Sequence, residues 1–164
     1  MERMLLGSTL MLVLCANVFA QSDPLYGTWR LVSAVTSVIA TGEKYETYGK
    51  APHGFITYGP EGRMQVIIVN DQRPKPSHPV IADMTDSEAK ELLRTLVAYT
   101  GTYTFDGKSV THHIDASWNE VWTGTDQVRD VRLDAGRAIF TTRPAPSPRD
   151  GRMSTSTLTW EKLK

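Results

Sequence analysis

Cysteine is nearly absent from this sequence: Cys15 is the single cysteine among 164 residues. Because Cys15 lies in an apolar N-terminal segment, the rest of the chain has no thiol for a disulfide or a nucleophile. The chain also lacks the Gly-x-Ser-x-Gly elbow of serine hydrolases. A nucleophilic enzyme is therefore not indicated. The core has to form without disulfides, which a domain of about 140 residues is large enough to do.

An excess of charge of one sign is missing as well. Lysine and arginine number 18, aspartate and glutamate also number 18, and the formal net charge is zero. Nucleic acids and anionic membrane surfaces both attract basic patches. The sequence therefore predicts neither of them as a partner.

The N-terminal apolar run is shorter than the roughly 20 residues that a membrane-spanning helix needs. It covers residues 4–14, follows the basic Arg3, and precedes Val18 and Ala20 at the −3 and −1 positions of a cleavage site. This arrangement is typical of a secretory signal peptide. We expect cleavage between Ala20 and Gln21, export to the periplasm or the medium without further membrane contact, and one domain over residues 21–164.

The first strand-like run after this segment begins at Gly27. Alternation places Trp29 and Leu31 on one face and Thr28, Arg30 and Val32 on the other. A large ring on the inner face near the start of a strand is able to plug one end of a β-barrel. Trp29 is also interpretable as an ordinary core tryptophan, and the two interpretations are compatible.

Similar short runs recur along the chain, separated by turn residues such as Gly59-Pro60-Glu61-Gly62 and Asp106-Gly107. Strands are predicted at residues 27–38, 45–48, 53–58, 63–70, 99–105, 109–115, 121–125, 127–133, 137–143 and 154–161. Eight to ten short strands at this spacing predict a mainly β domain, an antiparallel barrel or a sandwich. A barrel is favoured because closure removes exposed strand edges.

One α-helix interrupts the strands, at about residues 86–97. Thr85 and Glu88 form a capping box, and an apolar stripe follows at helical spacing. The stripe consists of Ala89, Leu92, Leu93, Leu96 and Val97. We expect it to dock on the outside of the sheet or across one end.

A proline-rich loop at residues 71–84 precedes this helix. Loops of this length in compact domains are often lids or binding loops. A passive connector to the helix is the other interpretation.

An ordered set of short motifs covers essentially the whole chain after residue 20. The motifs are GTWRLVS (27–33), YGKAPHG (48–54), YGPEGRM (58–64), RP (73–74), AYTGTY (98–103), His112 with Ile114, WTG (122–124), Arg129 and LTWE (158–161). With them the chain resembles the bacterial and fungal lipocalin-like domain family. The resemblance implies an up-and-down β-barrel with an internal cavity, but no particular activity, because such folds host carriers, isomerases and cyclases. The second histidine, His113, departs from the family pattern.

Polar side chains inside such a cavity are the candidate functional groups. His112 shares a face with Ile114, so an inward imidazole would donate, accept or move a proton in apolar surroundings. Arg73 and Arg129 are candidate clamps for an anion, since a guanidinium holds a carboxylate with two hydrogen bonds. A hydrogen-bonded core histidine and an arginine stacked on a tryptophan are the alternative interpretations of His112 and Arg129.

Aromatic side chains complete the candidate ligand-binding set. Trp29, Tyr99, Tyr103 and Trp122 would supply flat walls and hydroxyl donors, although cross-strand pairing is the commoner use of tyrosine in sheets. No metal site or cofactor is predicted. Adjacent residues of a strand face opposite ways, so His112 and His113 cannot bind one ion from a regular strand.

Three functions are compatible with these residues. The favoured one is an exported carrier that binds a small hydrophobic or amphipathic molecule, because the sequence contains no obvious catalytic pair that would indicate an enzyme. The second is a cofactor-independent cyclase or isomerase in which His112 or a tyrosine acts as acid or base. The third is a structural envelope protein whose barrel is filled with side chains.

Overall fold

The computed structural model describes residues 23–164, so the expected signal peptide lies outside the described residues. Within this range the chain forms ten β-strands and a single α-helix. The elements are β1 (Gly27–Val38), β2 (Lys44–Glu46), β3 (His53–Tyr58), β4 (Arg63–Val69), α1 (Asp86–Arg94), β5 (Leu96–Phe105), β6 (Ser109–Ser117), β7 (Asp126–Asp134), β8 (Arg137–Thr142), β9 (Ala145–Pro146) and β10 (Met153–Lys162).

Eight of these strands close into an antiparallel barrel. Their order around the wall is β1-β3-β4-β5-β6-β7-β8-β10, and pairing of β10 with β1 seals it, from Trp29 opposite Lys162 to Val38 opposite Ser154. The short strands β2 and β9 lie beside β1 and β10. The predicted mainly β barrel is thereby confirmed, and a two-sheet sandwich is excluded.

Alternation along each strand sets the inner face of the barrel. Trp29 and Leu31 are buried while Arg30 and Val32 are exposed, as predicted. A β-bulge between Leu31 and Ser33 shifts the β1–β10 register and brings Ala34 and Thr36 to the inner face.

The helix is shorter than its apolar pattern suggests. The capping box forms as predicted, with the Thr85 side chain accepting from the Glu88 backbone N–H, but the helix ends at Arg94. Leu96 and Val97 belong instead to β5, where they pair with Val69 and Ile68 of β4. Leu96 and Val97 match the i, i+3, i+4 spacing of the helix only by coincidence, because they are apolar residues at the start of a strand.

The strand expected at residues 121–125 is wrong. Glu120–Trp122 is a 3₁₀ turn, capped by Asn119, whose side-chain oxygen accepts from the Val121 backbone N–H. Gly124 then takes a φ of 77°, a conformation that glycine adopts without strain. Local side chain–backbone hydrogen bonds therefore win over the β-propensity of this segment.

The two ends of the barrel differ. At one end, which we call the packed end, the core residues Leu25, Trp29, Met64, Val110 and Ala138 fill the interior. At the other, which we call the loop end, β4 leads into the 70–85 loop and α1, β6 into the 118–125 turn, and β8 into the 143–152 loop.

Residues 23–164 contain no helix with the length and apolar character needed to cross a bilayer.

Candidate functional site

A cavity of about 820 Å³ occupies the loop-end half of the barrel. Its apolar wall is made by inward side chains from five strands, β3, β4, β5, β8 and β10. These side chains include Ile56, Val66, Val97, Phe140, Leu158 and Trp160. At the loop end, Lys90, Leu93 and Arg94 show that α1 lies across the barrel and helps to enclose the cavity.

Four of the seven predicted site residues line this cavity: Tyr99, His112, Trp122 and Arg129. They come from β5, β6, the 3₁₀ turn and β7, so the barrel brings together side chains from neighbouring parts of its wall.

The other three predicted residues lie elsewhere. Trp29 is buried at the packed end, where its indole N–H donates to the Leu25 carbonyl oxygen at 2.8 Å. Tyr103 stacks edge-on against Tyr58, with ring centroids 4.7 Å apart. Arg73 lies in the loop after β4 and is not part of the cavity wall. Trp29 therefore lies where a plug was predicted, and the structure does not bring Trp29, Tyr103 or Arg73 to the cavity.

His112 is fully buried and bonded at both ring nitrogens. Its Nε2 lies 2.8 Å from the Tyr58 hydroxyl, and its Nδ1 lies 2.9 Å from the Tyr99 hydroxyl. A neutral imidazole carries one N–H and one lone pair, so one tyrosine donates to the ring and the other accepts from it. His112 is thus a core histidine satisfied by its neighbours, and it also lines the cavity.

Burial keeps this chain of three side chains neutral. It lowers the pKa of His112 well below its usual value, and the positive charge of Arg129 lowers it further. Burial also raises the pKa of Tyr58 and of Tyr99, against the opposite pull of Arg129. The three groups are therefore uncharged at neutral pH.

Sequence reasoning missed Tyr58. Period-two alternation puts Tyr58 on the same face of β3 as Ile56, which was the available signal. However, its partner His112 is 54 positions away in the chain, and only the closed wall brings the two rings together.

Arg129 is the charged group inside the barrel. Its side chain emerges from the middle of β7, is only 8% exposed, and lies with Cζ 6.0 Å from the centroid of the Tyr99 ring. The ring beneath it is therefore a tyrosine and not the expected tryptophan. No carboxylate within the described chain forms an ion pair with it.

A cluster of hydroxyl groups from β1, β10 and the β2–β3 connection was also missed. The Thr36 hydroxyl lies 2.6 Å from that of Thr47 and 2.9 Å from that of Ser156. Ser154 lies beside them on the wall. Ser154, Ser156 and Leu158 alternate inward along β10, so the period of this strand was a usable signal.

Aromatic and cationic side chains surround the loop end. Trp118 and Trp122 pack edge to face at 4.8 Å, and Trp122 packs on Tyr99 at 5.8 Å. Arg149 lies over the Tyr48 ring, with Cζ 5.2 Å from its centroid. Burial raises the pKa of Tyr48 to about 12 although Arg149 opposes this shift, so the phenol stays neutral.

The two adjacent histidines face opposite sides of the wall. His112 points inward, while the Nδ1 of His113 lies 2.7 Å from Asp126 on the exposed surface. Nowhere between residues 23 and 164 do three His, Cys, Asp or Glu side chains converge as a metal site requires.

Comparison with known proteins gives one result for the whole domain. A family model described as a lipocalin-like domain matches residues 26–163, which is nearly the whole described chain. No curated protein matches the sequence.

Proposed function

Because the chain belongs to the lipocalin-like domain family, we propose that this protein is an exported barrel that binds a small, mostly apolar molecule in its interior. The family fold suggests small-molecule binding in general. The more specific proposal, that the protein carries an apolar ligand, is supported by the size and the apolar lining of the cavity.

The observation that carries this proposal is the hollow loop-end half of the barrel. Its volume of about 820 Å³ lies within the range of about 300–1,000 Å³ that is usual for small-molecule sites. An apolar wall with a few converging polar groups is the usual lining of such a site. Since the centre is hollow, the structure gives no support to a structural envelope protein with a filled barrel.

A dye titration tests the carrier. We expect the neutral dye N-phenylnaphthylamine to bind and to fluoresce more strongly, because the wall would remove it from water. Ser156→Trp should abolish this binding, because Ser156 points into the cavity and a tryptophan there would fill much of it.

The matched control is Thr157→Trp, which adds the same ring on the exposed face of the same strand. It should bind the dye as the wild type does. Equal binding by both variants would place the dye on the surface and contradict an internal site. Native mass spectrometry of protein purified from its own source would then identify the natural ligand by its mass.

A cofactor-independent isomerase or cyclase is the second candidate. The chain Tyr58–His112–Tyr99 favours it, because hydrogen-bonded neutral groups of this kind move protons at a bound substrate. The co-purifying molecule, incubated with the protein in deuterated water, would take up deuterium from solvent. The uptake should disappear in His112→Ala. A molecule that stays unlabelled with the wild type would leave the carrier as the function.

Export is the remaining part of the proposal, and it is supported by residues 1–20 of the sequence. Protein recovered from the periplasm or the medium should have the intact mass of a chain that starts at Gln21. Recovery of the uncleaved chain from the cytoplasm alone would contradict it.

A further inference from the structure

We infer that the ligand of this cavity is a small organic monoacid, bound as its carboxylate by Arg129. The inference rests on the proposed function and names the chemical class of the molecule that the barrel carries.

Arg129 is a buried cation on the wall of the cavity. About nine-tenths of the residue is buried, and it belongs to the wall of the cavity. Neither a side-chain hydrogen bond nor an ion pair satisfies its guanidinium within residues 23–164. Its nitrogens are not among the fully enclosed atoms of the described chain, so they are open to a ligand in the cavity, and an anionic group there would be a favourable partner in these partly desolvated surroundings.

The groups around Arg129 cannot supply a counter-charge. Those whose pKa its charge affects are Tyr48, Tyr58, Tyr99 and His112, from the β2–β3 connection and from β3, β5 and β6. Burial raises the pKa of the three tyrosines and lowers that of His112, so all four are neutral at physiological pH. No neighbouring group thus supplies a negative charge, and we assign that role to the ligand.

Asp126 lies on the same strand, three residues before Arg129. Its carboxylate is turned toward the surface, where it contacts His113 at 2.7 Å. Glu120, the other acidic residue on the cavity wall, accepts a hydrogen bond from the Thr123 hydroxyl at the loop end. Both carboxylates therefore already have hydrogen-bonding partners, Asp126 on the outer surface and Glu120 at the loop end.

The chemistry of the site selects a carboxylate. A guanidinium presents paired N–H donors in a plane, which matches the two oxygens of a carboxylate. Arg129 balances one negative charge, and Ile56, Val66 and Phe140 on the same cavity wall suit an apolar remainder, with the hydroxyl groups of Thr36 and Ser156 as further polar contacts. The cationic side chains Lys90, Arg143 and Arg149 at the loop end would favour entry of an anion.

Two matched acid–alcohol pairs test the inference. Decanoate against decanol, and naphthoate against naphthalenemethanol, should each displace N-phenylnaphthylamine from the cavity. We expect the acid to bind about ten- to a hundredfold more tightly than the alcohol in at least one pair, as a charged hydrogen-bonded contact would provide.

Arg129→Gln should remove this preference and leave alcohol binding within about twofold, since only the charge-assisted bonds are lost. Arg132→Gln is the matched control: it makes the same change on the exposed face of the same strand, and it should retain the preference. Arg129→Lys should retain part of it, because the charge stays while the paired geometry is lost. Near-UV circular dichroism establishes that each variant is folded.

Equal affinity for acid and alcohol in both pairs would overturn the inference and leave the carrier standing. The same holds if Arg129→Gln and Arg132→Gln bind the acid equally well. If Arg129→Gln does not fold, the wild-type comparison of acid with alcohol decides the question alone. Failure of the wild type to bind even the neutral dye would contradict the proposed function itself.

Discussion

At the scale of single residues, His112 links the ionisation of one side chain to the stability of the whole barrel. Both of its ring nitrogens are hydrogen-bonded to tyrosines from other strands, and it has no contact with water. Protonation would bury a charge away from water and would place a second positive charge near Arg129. The folded protein therefore excludes the charged form.

This exclusion predicts that acid destabilises the fold in a defined range. The folded-state pKa of His112 lies below its unfolded value of about 6.5, so only the unfolded chain takes up a proton as the pH falls below that value. The free energy of unfolding should begin to fall near pH 6.5, with a slope that rises toward a limit of about 1.4 kcal/mol per pH unit as the pH is lowered further. Urea titrations at several pH values measure this slope.

His112→Gln should lose this contribution to the slope, because the titrating group is gone. His53→Gln is the matched control: this histidine is exposed on the outer face of β3 and contacts neither His112 nor a carboxylate, so the steeper acid response should remain in its variant. Equal slopes for the wild type and His112→Gln would show that His112 does not control the acid response.

The candidate residues illustrate what a sequence reveals at this scale. Alternation within strands correctly placed His112 and Ile114 on one face, and it placed Tyr99 on the inner side of β5. Alternation did not predict that Tyr58 contacts His112, because the two residues are 54 positions apart and only the assembled sheet brings them together. The position of Arg73 is set by a loop without periodicity, so no pattern fixed its distance from the cavity.

At the scale of elements, Glu88 ties the proline-rich loop to the start of α1. Its carboxylate accepts from the backbone N–H groups of Ser77 and Thr85 at 2.8 and 2.9 Å. These hydrogen bonds lower the pKa of Glu88 to about 2, so the carboxylate keeps both contacts down to strongly acidic pH. The capping box therefore fixes the middle of the 71–84 loop as well as the helix.

We predict that Glu88→Gln loosens this loop. A neutral amide accepts weaker hydrogen bonds than a carboxylate, so amide exchange at Ser77 and Thr85 should become faster. Hydrogen exchange followed by NMR measures both sites. Asp86→Asn, in the same helical turn and also losing one negative charge, is the control and should leave Ser77 unchanged. Unchanged exchange at Ser77 in Glu88→Gln would contradict the proposed tie.

The junction of β5 and β6 depends on one glycine. The register shifts between Thr100 and Gly101, and a Cβ built on Gly101 would lie 1.9 Å from the backbone oxygen of His113. Since backbone cannot move aside as a flexible side chain does, Gly101→Ala has to push the two strands apart.

Gly101→Ala should therefore destabilise the protein by about 1–3 kcal/mol, the range for overpacking in a core. Thermal unfolding measures the effect. Thr102→Ala, on the exposed face one residue along, should change stability by no more than about 0.5 kcal/mol. Similar stability of the two variants would show that the strands tolerate a side chain at Gly101.

At the scale of the whole molecule, β10 closes the barrel. It pairs with β1 on one side and with β8 on the other. Without it, both of those strands would become free edges, and free edges promote association between chains. Closure also keeps the opposite sides of the barrel apart, so that the loop-end half stays hollow.

A chain shortened to end at Asp150 should therefore fail to form a stable monomer. We expect it to aggregate or to lack the cooperative unfolding of the full chain, which light scattering and thermal melts measure. A chain that ends at Lys162 keeps all of β10 and should remain monomeric if the full chain is. Cooperative unfolding of the chain ending at Asp150 would show that closure by β10 is dispensable.

The sequence by itself determined the features that depend on neighbouring residues. Of the ten strands predicted from period-two alternation, nine are present in the structure. The capping box correctly predicted the start of α1. It did not locate the helix end, because Leu96 and Val97 match the helical period but are needed as strand partners of β4. The prediction at residues 121–125 failed for a different reason, because a local turn capped by Asn119 replaces the strand there.

Tertiary structure alone decided which end of the barrel is filled and which is hollow. The packing of Trp29, Met64 and Val110 at one end depends on the stagger of the strands around the closed wall, which no local pattern encodes. The same closure surrounds Arg129 with neutral tyrosines and His112 and leaves it without a counter-ion in the described chain. A sequence gives the inward face of each strand, but which inward side chains meet is a property of the assembled barrel.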